Sequence, residues 1–356
     1  MRKTLFAASL MLTALAFAEQ APVTPGARTI VLAHNAYPDH GKYADRLERA
    51  LAAGQPFVVE EDLSWVDGQS LLIHGAKNAA AGDPTLETYF FPKVRPLLEK
   101  ALHEGNRGNW PLITLYLDIK DDPLDHLAAI SRLLSRYDGW LTTAAKTDDI
   151  LKMSALDIKP MMVLVEDKQN DLNKQQIFYD QVPLGGKIRV FGSVPKLDPN
   201  PGHKLAKQAA TDLQFAATPE DLIQGRADNY HRWIGLDWAY IEKGGEPKAG
   251  EWTKEAEKRL KDFVAYGHKL GYLVGVYCLD GFTEAENQGW DKDYNFGSRE
   301  AAMTRWNAAA RAKVDFISTD HYEQLAQTLA ELRKQSLHKE TTGAAREPLS
   351  SAVSGQ

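Results

Sequence analysis

The chain has 356 residues, 44% of them hydrophobic and 25% charged, with a formal net charge of −6. That length and balance exclude wholesale disorder and supply enough apolar mass for a substantial core. A mild excess of acid with no basic stripe argues against a nucleic-acid partner and against strong attraction to an anionic membrane surface.

Residues 1–18 read as an export signal. Arg2 and Lys3 precede the apolar run LFAASLMLTALAFA, which closes on Ala16-Phe17-Ala18, a small-x-small cleavage pattern. Cleavage after Ala18 is expected, leaving a periplasmic or extracellular protein. The run is shorter than the roughly 20 residues needed to span a bilayer, so no stable membrane insertion is expected. A retained anchor is the competing reading. EQAPVTPGAR, residues 19–28, then reads as a linker. Cys278 is the only cysteine, which rules out an intrachain disulfide.

From residue 29 onward, short β-branched or aromatic runs alternate with longer helical segments, a pattern that predicts an α/β fold with a parallel sheet. The expected strands cover 29–34, 56–63, 111–120, 139–143, 159–166, 233–240, 271–279 and 315–321. Eight of them predict a somewhat irregular closed (β/α)8 TIM barrel over residues 29–335. YADRLERALAAG places Leu47, Ala50 and Leu51 on one helical face and ends on Gly54; KEAEKRLKDFVAYGHKLG repeats the device and ends on Gly271. The polar stretches 169–186 and 197–231 read as an excursion of loops and helices over the barrel. Residues 336–356 are small, polar and aperiodic, and read as a disordered tail.

In a parallel barrel the reactive groups sit at the carboxyl ends of the strands. His34 follows TIVLA, Glu60 and Asp62 follow PFVV, Asp118 and Lys120 follow ITLYL, and His74 follows SLLI. Alternation turns Glu60 and Asp62 to one face and Glu61 to the other, and puts Asp118 and Lys120 on a shared face. Converging carboxylates at Glu60, Asp62 and Asp118 repel one another unless a cation neutralises them, and oxygen ligands favour Mg2+ or Ca2+ over zinc. Two imidazoles beside that cation, His34 and His74, can supply a general acid and a general base. Lys120 can steady developing negative charge.

These residues, in this order, resemble the PI-PLC-like phosphodiesterase superfamily, which includes glycerophosphodiester phosphodiesterases, bacterial phosphatidylinositol-specific phospholipase C and spider-venom sphingomyelinase D. In that group an early His ends the first strand, Glu-x-Asp ends the second, a further His follows a DG turn, and an acidic-x-Lys pair ends the third. Here those elements read His34, Glu60-Glu61-Asp62, VDGQSLLIHG with His74, and LDIK with Asp118 and Lys120. The opening AHNAYP also resembles the branch named for altered inheritance of mitochondria in yeast. The resemblance implies a metal-dependent phosphoric diester hydrolase acting on a small-molecule or lipid-derived phosphodiester, with His34, His74 and Lys120 catalytic and Glu60, Asp62 and Asp118 holding the metal. Glycerophosphodiesterases carry Arg directly after the first His, where this chain has Asn35, and Asp after the second, where it has Gly75.

Asn35, Tyr277 and Trp238 are the candidate substrate contacts. Asn35 adjoins His34, Tyr277 sits where related barrels carry an aromatic residue near the phosphate, and Trp238 lies in GLDWAY near a late strand end. Asp320 and His321 are expected just behind the site, and His40, His103 and His126 on the surface. Two other readings fit the same residues: a non-catalytic barrel that holds a phosphorylated head group or sugar, and a zinc-assisted amide hydrolase.

Overall fold

The computed structural model describes residues 23–38, 43–167, 172–194, 207–286 and 292–344. Eight strands form the barrel: β1 (Ile30–Ala33), β2 (Phe57–Val66), β3 (Ile113–Ile119), β4 (Met161–Val165), β5 (Phe191–Ser193), β6 (His231–Asp237), β7 (Leu273–Tyr277) and β8 (Phe316–Thr319). Each pairs in parallel with its neighbours in chain order, and β8 pairs back onto β1, which closes the sheet as expected.

Helices cover the outside and bury their apolar faces on the strands. In Arg46–Ala52, Leu47 and Ala50 are buried, and the chain leaves this helix through Gly54 at φ 114°, a region that favours glycine. Thr253 caps Lys254–Lys269 by accepting the Ala256 N–H at 3.1 Å. That helix presses Leu260, Phe263 and Val264 onto Ile234, Val274 and Ile317 of the wall. Each such side chain contributes roughly 1.5–3 kcal/mol by leaving water.

Two expectations need correction. Residues 139–143 do not supply a barrel strand: Leu141 makes one bridge to Met161, and Thr143–Ala145 joins a separate three-stranded sheet with Leu156–Asp157 and Lys187–Ile188. The fifth strand is instead Phe191–Ser193, too short to show as a periodic run and containing Gly192. There a Cβ would lie 2.0 Å from the Asp167 carboxylate and 2.5 Å from the Tyr230 ring. The last helix, Tyr322–Ala344, continues past residue 336, where the disordered tail was expected to begin. Residues 1–18 and His40 lie outside the described residues. Among the described residues no helix is long and apolar enough to cross a membrane.

Candidate active site

β1 delivers His34 and Asn35 to the barrel mouth. Asn35 adopts φ 47°, a left-handed conformation that asparagine tolerates better than most residues, and is 4% exposed. The His34 ring is fixed from behind: its Nδ1 lies 3.1 Å from Asp320 Oδ1. Asp320 in turn accepts from both terminal nitrogens of Arg46, at 2.7 and 3.2 Å. The His34 carbonyl accepts from Arg46 Nη1 and from the Tyr322 hydroxyl. Burial alone would lower the pKa of His34, but Glu60, Asp320 and Asp280 raise it to about 9. These carboxylates favour the protonated imidazole.

The register of β2 on β3 sets Glu60 beside Tyr116 and Asp62 beside Asp118. Glu60, Asp62 and Asp118 each present an oxygen, and these atoms lie within 4.8 Å of one another. Lys120 Nζ stands between two of them, 3.0 Å from Asp62 Oδ1 and 2.6 Å from Asp118 Oδ2. Tyr37 donates to Asp62 Oδ2 at 2.7 Å. Burial, reinforced by Asp62 and Asp118 against the pull of His34, pushes Glu60 up to about 8; burial and then Asp118 push Asp62 to about 6. One lysine thus leaves the three acids short of positive charge. Asp62 Oδ1, close as it is to Lys120, is buried without a well-formed hydrogen bond. An all-oxygen donor set with an orphaned buried oxygen fits a hard divalent ion.

Glu61 points the other way and is fully buried, and neither of its carboxylate oxygens has a hydrogen-bond partner. Burial and then Asp62 and Glu60 hold its pKa well above the carboxylate range.

His74 is mounted differently. β2 runs past the barrel rim and folds back through Asp67 (φ 48°) and Gly68 (φ 79°) into the antiparallel strand Gln69–Leu72. Two positive φ values in a two-residue turn suit the right-handed twist of a hairpin. Ser64 pins the following turn, donating to the Ile73 carbonyl at 3.2 Å and accepting the Gly75 N–H at 3.0 Å. His74 itself is exposed.

A cavity of about 320 Å³ opens at this mouth. His34, Asn35, Glu60, His74, Asp118, Lys120 and Tyr277 line it, while Asp62 lies beneath Lys120 with no exposed surface. Trp238 does not reach it. That indole is fully buried between Trp252 and Phe296, with Nε1 donating to Glu242 at 2.8 Å, because β6 ends at Asp237 and a single helical turn carries Trp238 outside the wall.

Other wall residues were not foreseen: Tyr116, Glu166, Trp233 and Tyr294. Glu166 directly follows β4 as Lys120 follows β3, so the same strand-end rule would have found it. Asp280, also unforeseen, accepts the Thr319 hydroxyl and the Asp320 N–H, both at 2.7 Å, and so fixes the end of β8 behind His34. His34, Cys278 and Asp280 also gather within 4.8 Å. Burial pushes the Cys278 thiol well up and it faces Asp280 Oδ2 at 3.7 Å, so it serves as a weak donor and not as a thiolate ligand. His126, expected on the surface, is buried, with Nε2 2.8 Å from the Ser70 hydroxyl and Nδ1 2.9 Å from Asp121 Oδ1.

The molecule is thus an α/β barrel with carboxylates, a lysine and two histidines gathered at the carboxyl ends of its first strands. No protein-family model and no curated protein matches the chain. Among solved structures it is similar to a glycerophosphoryl diester phosphodiesterase from Parabacteroides distasonis, with TM-score 0.39, 14% identity, and coverage of 91% of this chain and 89% of that one. It is also similar to an HPPK-DHPS from Plasmodium falciparum (TM-score 0.42, 12% identity, 91% of this chain and 52% of that one). A further HPPK-DHPS aligns with TM-score 0.44 and 10% identity, over 88% of this chain and 50% of that one. Likenesses this distant bear on neither activity nor substrate; the barrel assignment rests on the strand pairing.

Proposed function

We propose that this chain is an exported, divalent-metal-dependent phosphodiesterase acting on a small or lipid-derived phosphodiester. The observation that carries the reading is the joint presence, at one barrel mouth, of three clustered carboxylates, a buried histidine, an exposed histidine and a lysine. Glu60, Asp62 and Asp118 would hold Mg2+ or Ca2+, which supplies charge neutralisation at the phosphoryl oxygens. Lys120 adds positive charge beside them, and Asn35 offers an amide to the same group. His34, kept protonated by its acidic neighbours, is the general acid; His74, free to approach from its loop, is the general base. Water or a substrate hydroxyl attacks phosphorus and gives its proton to His74. The bond from phosphorus to the leaving alcohol breaks, and His34 returns a proton to that oxygen. The AHNAYP opening supports the mitochondrial-inheritance-like branch of the superfamily, and Asn35 in place of Arg supports a substrate other than a simple glycerophosphodiester.

The test is turnover of a broad phosphodiester panel by purified protein with Mg2+ or Ca2+. Cleavage that is lost in His34→Ala and His74→Ala supports the assignment. No cleavage of any diester, or full turnover in His34→Ala, overturns it.

A further inference from the structure

Behind the His34–Asp320 pair lies a second cavity, of about 160 Å³, bordered by Arg46, Arg49, Arg299 and His321. Water takes up about 30 Å³ in the liquid, so the space admits roughly five waters or one tetrahedral oxyanion.

Its donors are unevenly spent. Arg49 is committed to Glu323 by two hydrogen bonds of 2.7 and 2.8 Å. Arg299 is not: its nearest carboxylate oxygen, on Glu286, is 3.7 Å away, and its Nε is buried without a partner. Glu286 is itself occupied with the N–H and hydroxyl of Thr283, at 2.7 and 3.0 Å. His321 is 3% exposed and lines the cavity, yet its Nε2 is also buried without a partner. Phe282 covers the ring at 4.0 Å between centroids, and Trp306 stands at 6.0 Å. A buried ring nitrogen left unmatched costs free energy unless something fills it.

Three guanidinium groups at Arg46, Arg49 and Arg299 face three carboxylates at Asp320, Glu323 and Glu286, so the formal charge of the cavity is balanced. The unspent donors, Arg299 Nε and His321 Nε2, are what call for an acceptor. A forked guanidinium beside a neutral imidazole N–H suits a tetrahedral oxyanion with several acceptor oxygens.

We propose that this cavity is a second, non-catalytic site for free phosphate, held by Arg299 and His321 with Arg46 at its inner wall. Because Arg46 also holds Asp320, which holds His34, an anion against Arg46 would sit three hydrogen bonds from the catalytic imidazole. The site is thereby placed to modulate the reaction without taking part in it.

The experiment is calorimetric titration of metal-free, full-length protein with inorganic phosphate against chloride at matched ionic strength. The acidic barrel mouth repels phosphate under those conditions, and no turnover is involved, so the outcome is independent of the phosphodiesterase reading. One saturable site is expected, weakened about tenfold or more in Arg299→Gln and in His321→Asn and unchanged in Lys120→Gln. Arg299 is partly exposed, so its substitution leaves the fold intact should His321→Asn unfold the chain. Absence of saturable binding at millimolar phosphate overturns the proposal. Binding that survives Arg299→Gln but is lost in Lys120→Gln also overturns it, because the anion then lies in the barrel mouth.

Discussion

Replacing Asp320 with Asn removes one negative charge from a buried ion pair. The carboxylate is 3% exposed and neutralises Arg46, itself 3% exposed, through two hydrogen bonds, while also holding His34 Nδ1. Breaking a buried pair by removing one partner costs about 3–5 kcal/mol, because the other charge is left stranded. The amide keeps the shape and one acceptor oxygen, so a cost of about 3 kcal/mol is expected. The pH dependence follows from the two shifts. Burial raises Asp320, but His34 and Arg46 bring it down to about 2, so its stabilisation is present above an unfolded value of about 3.9 and lost as pH falls through about 2. His34 is raised to about 9, so its share is fully present below about 6.5 and lost as pH rises through about 9. The penalty of Asp320→Asn should therefore be greatest between about pH 4 and 6.5 and shrink, without vanishing, above about 9. Urea unfolding of metal-free protein, followed by tryptophan fluorescence at acidic and alkaline pH, measures it. A penalty under about 1 kcal/mol near pH 5.5, or one indifferent to pH, would refute the linkage drawn between Arg46, Asp320 and His34.

Adding Mg2+ or Ca2+ to metal-free protein should raise the melting temperature, with about 2.7 kcal/mol gained at a hundredfold excess over Kd; Asp118→Asn should abolish the shift, and an undiminished shift in that variant would place the ion elsewhere. Glu61→Met removes an unpartnered buried carboxyl and should stabilise the protein by about 1–3 kcal/mol with turnover unchanged; destabilisation in urea would mean that Glu61 has a partner after all. Trp238→Ala should cost about 3–5 kcal/mol by opening a cavity in the core while leaving KM alone; a raised KM with little loss of stability would return Trp238 to the substrate pocket.

The barrel was legible because its longer strands are rich in β-branched residues and end in polar clusters, as β2 and β3 do. β5 escaped notice because three residues, one of them glycine, carry no periodicity; only the surrounding pairing makes them a strand. At the site, alternation alone set Glu60 and Asp62 apart from Glu61, and the structure has them facing opposite ways. Trp238 was misplaced because a strand pattern continued across Asp237, where the chain in fact turns helical. Arg46 and Tyr322 could not be read at all. They belong to helices, and the contacts of Tyr322 with His34 and of Arg46 with Asp320 join residues separated by most of the chain, a relation that no local pattern encodes.

The two imidazoles stand on unequal foundations. One is bolted to the frame by a guanidinium, a phenol and a carboxylate; the other is exposed on a turn beyond a projecting ribbon, with no such clamp on its own ring among the described residues. Exchanging that ribbon for one of different length would re-aim the outer histidine while sparing the inner, which makes the segment after β2 the natural place to retune what the cavity accepts.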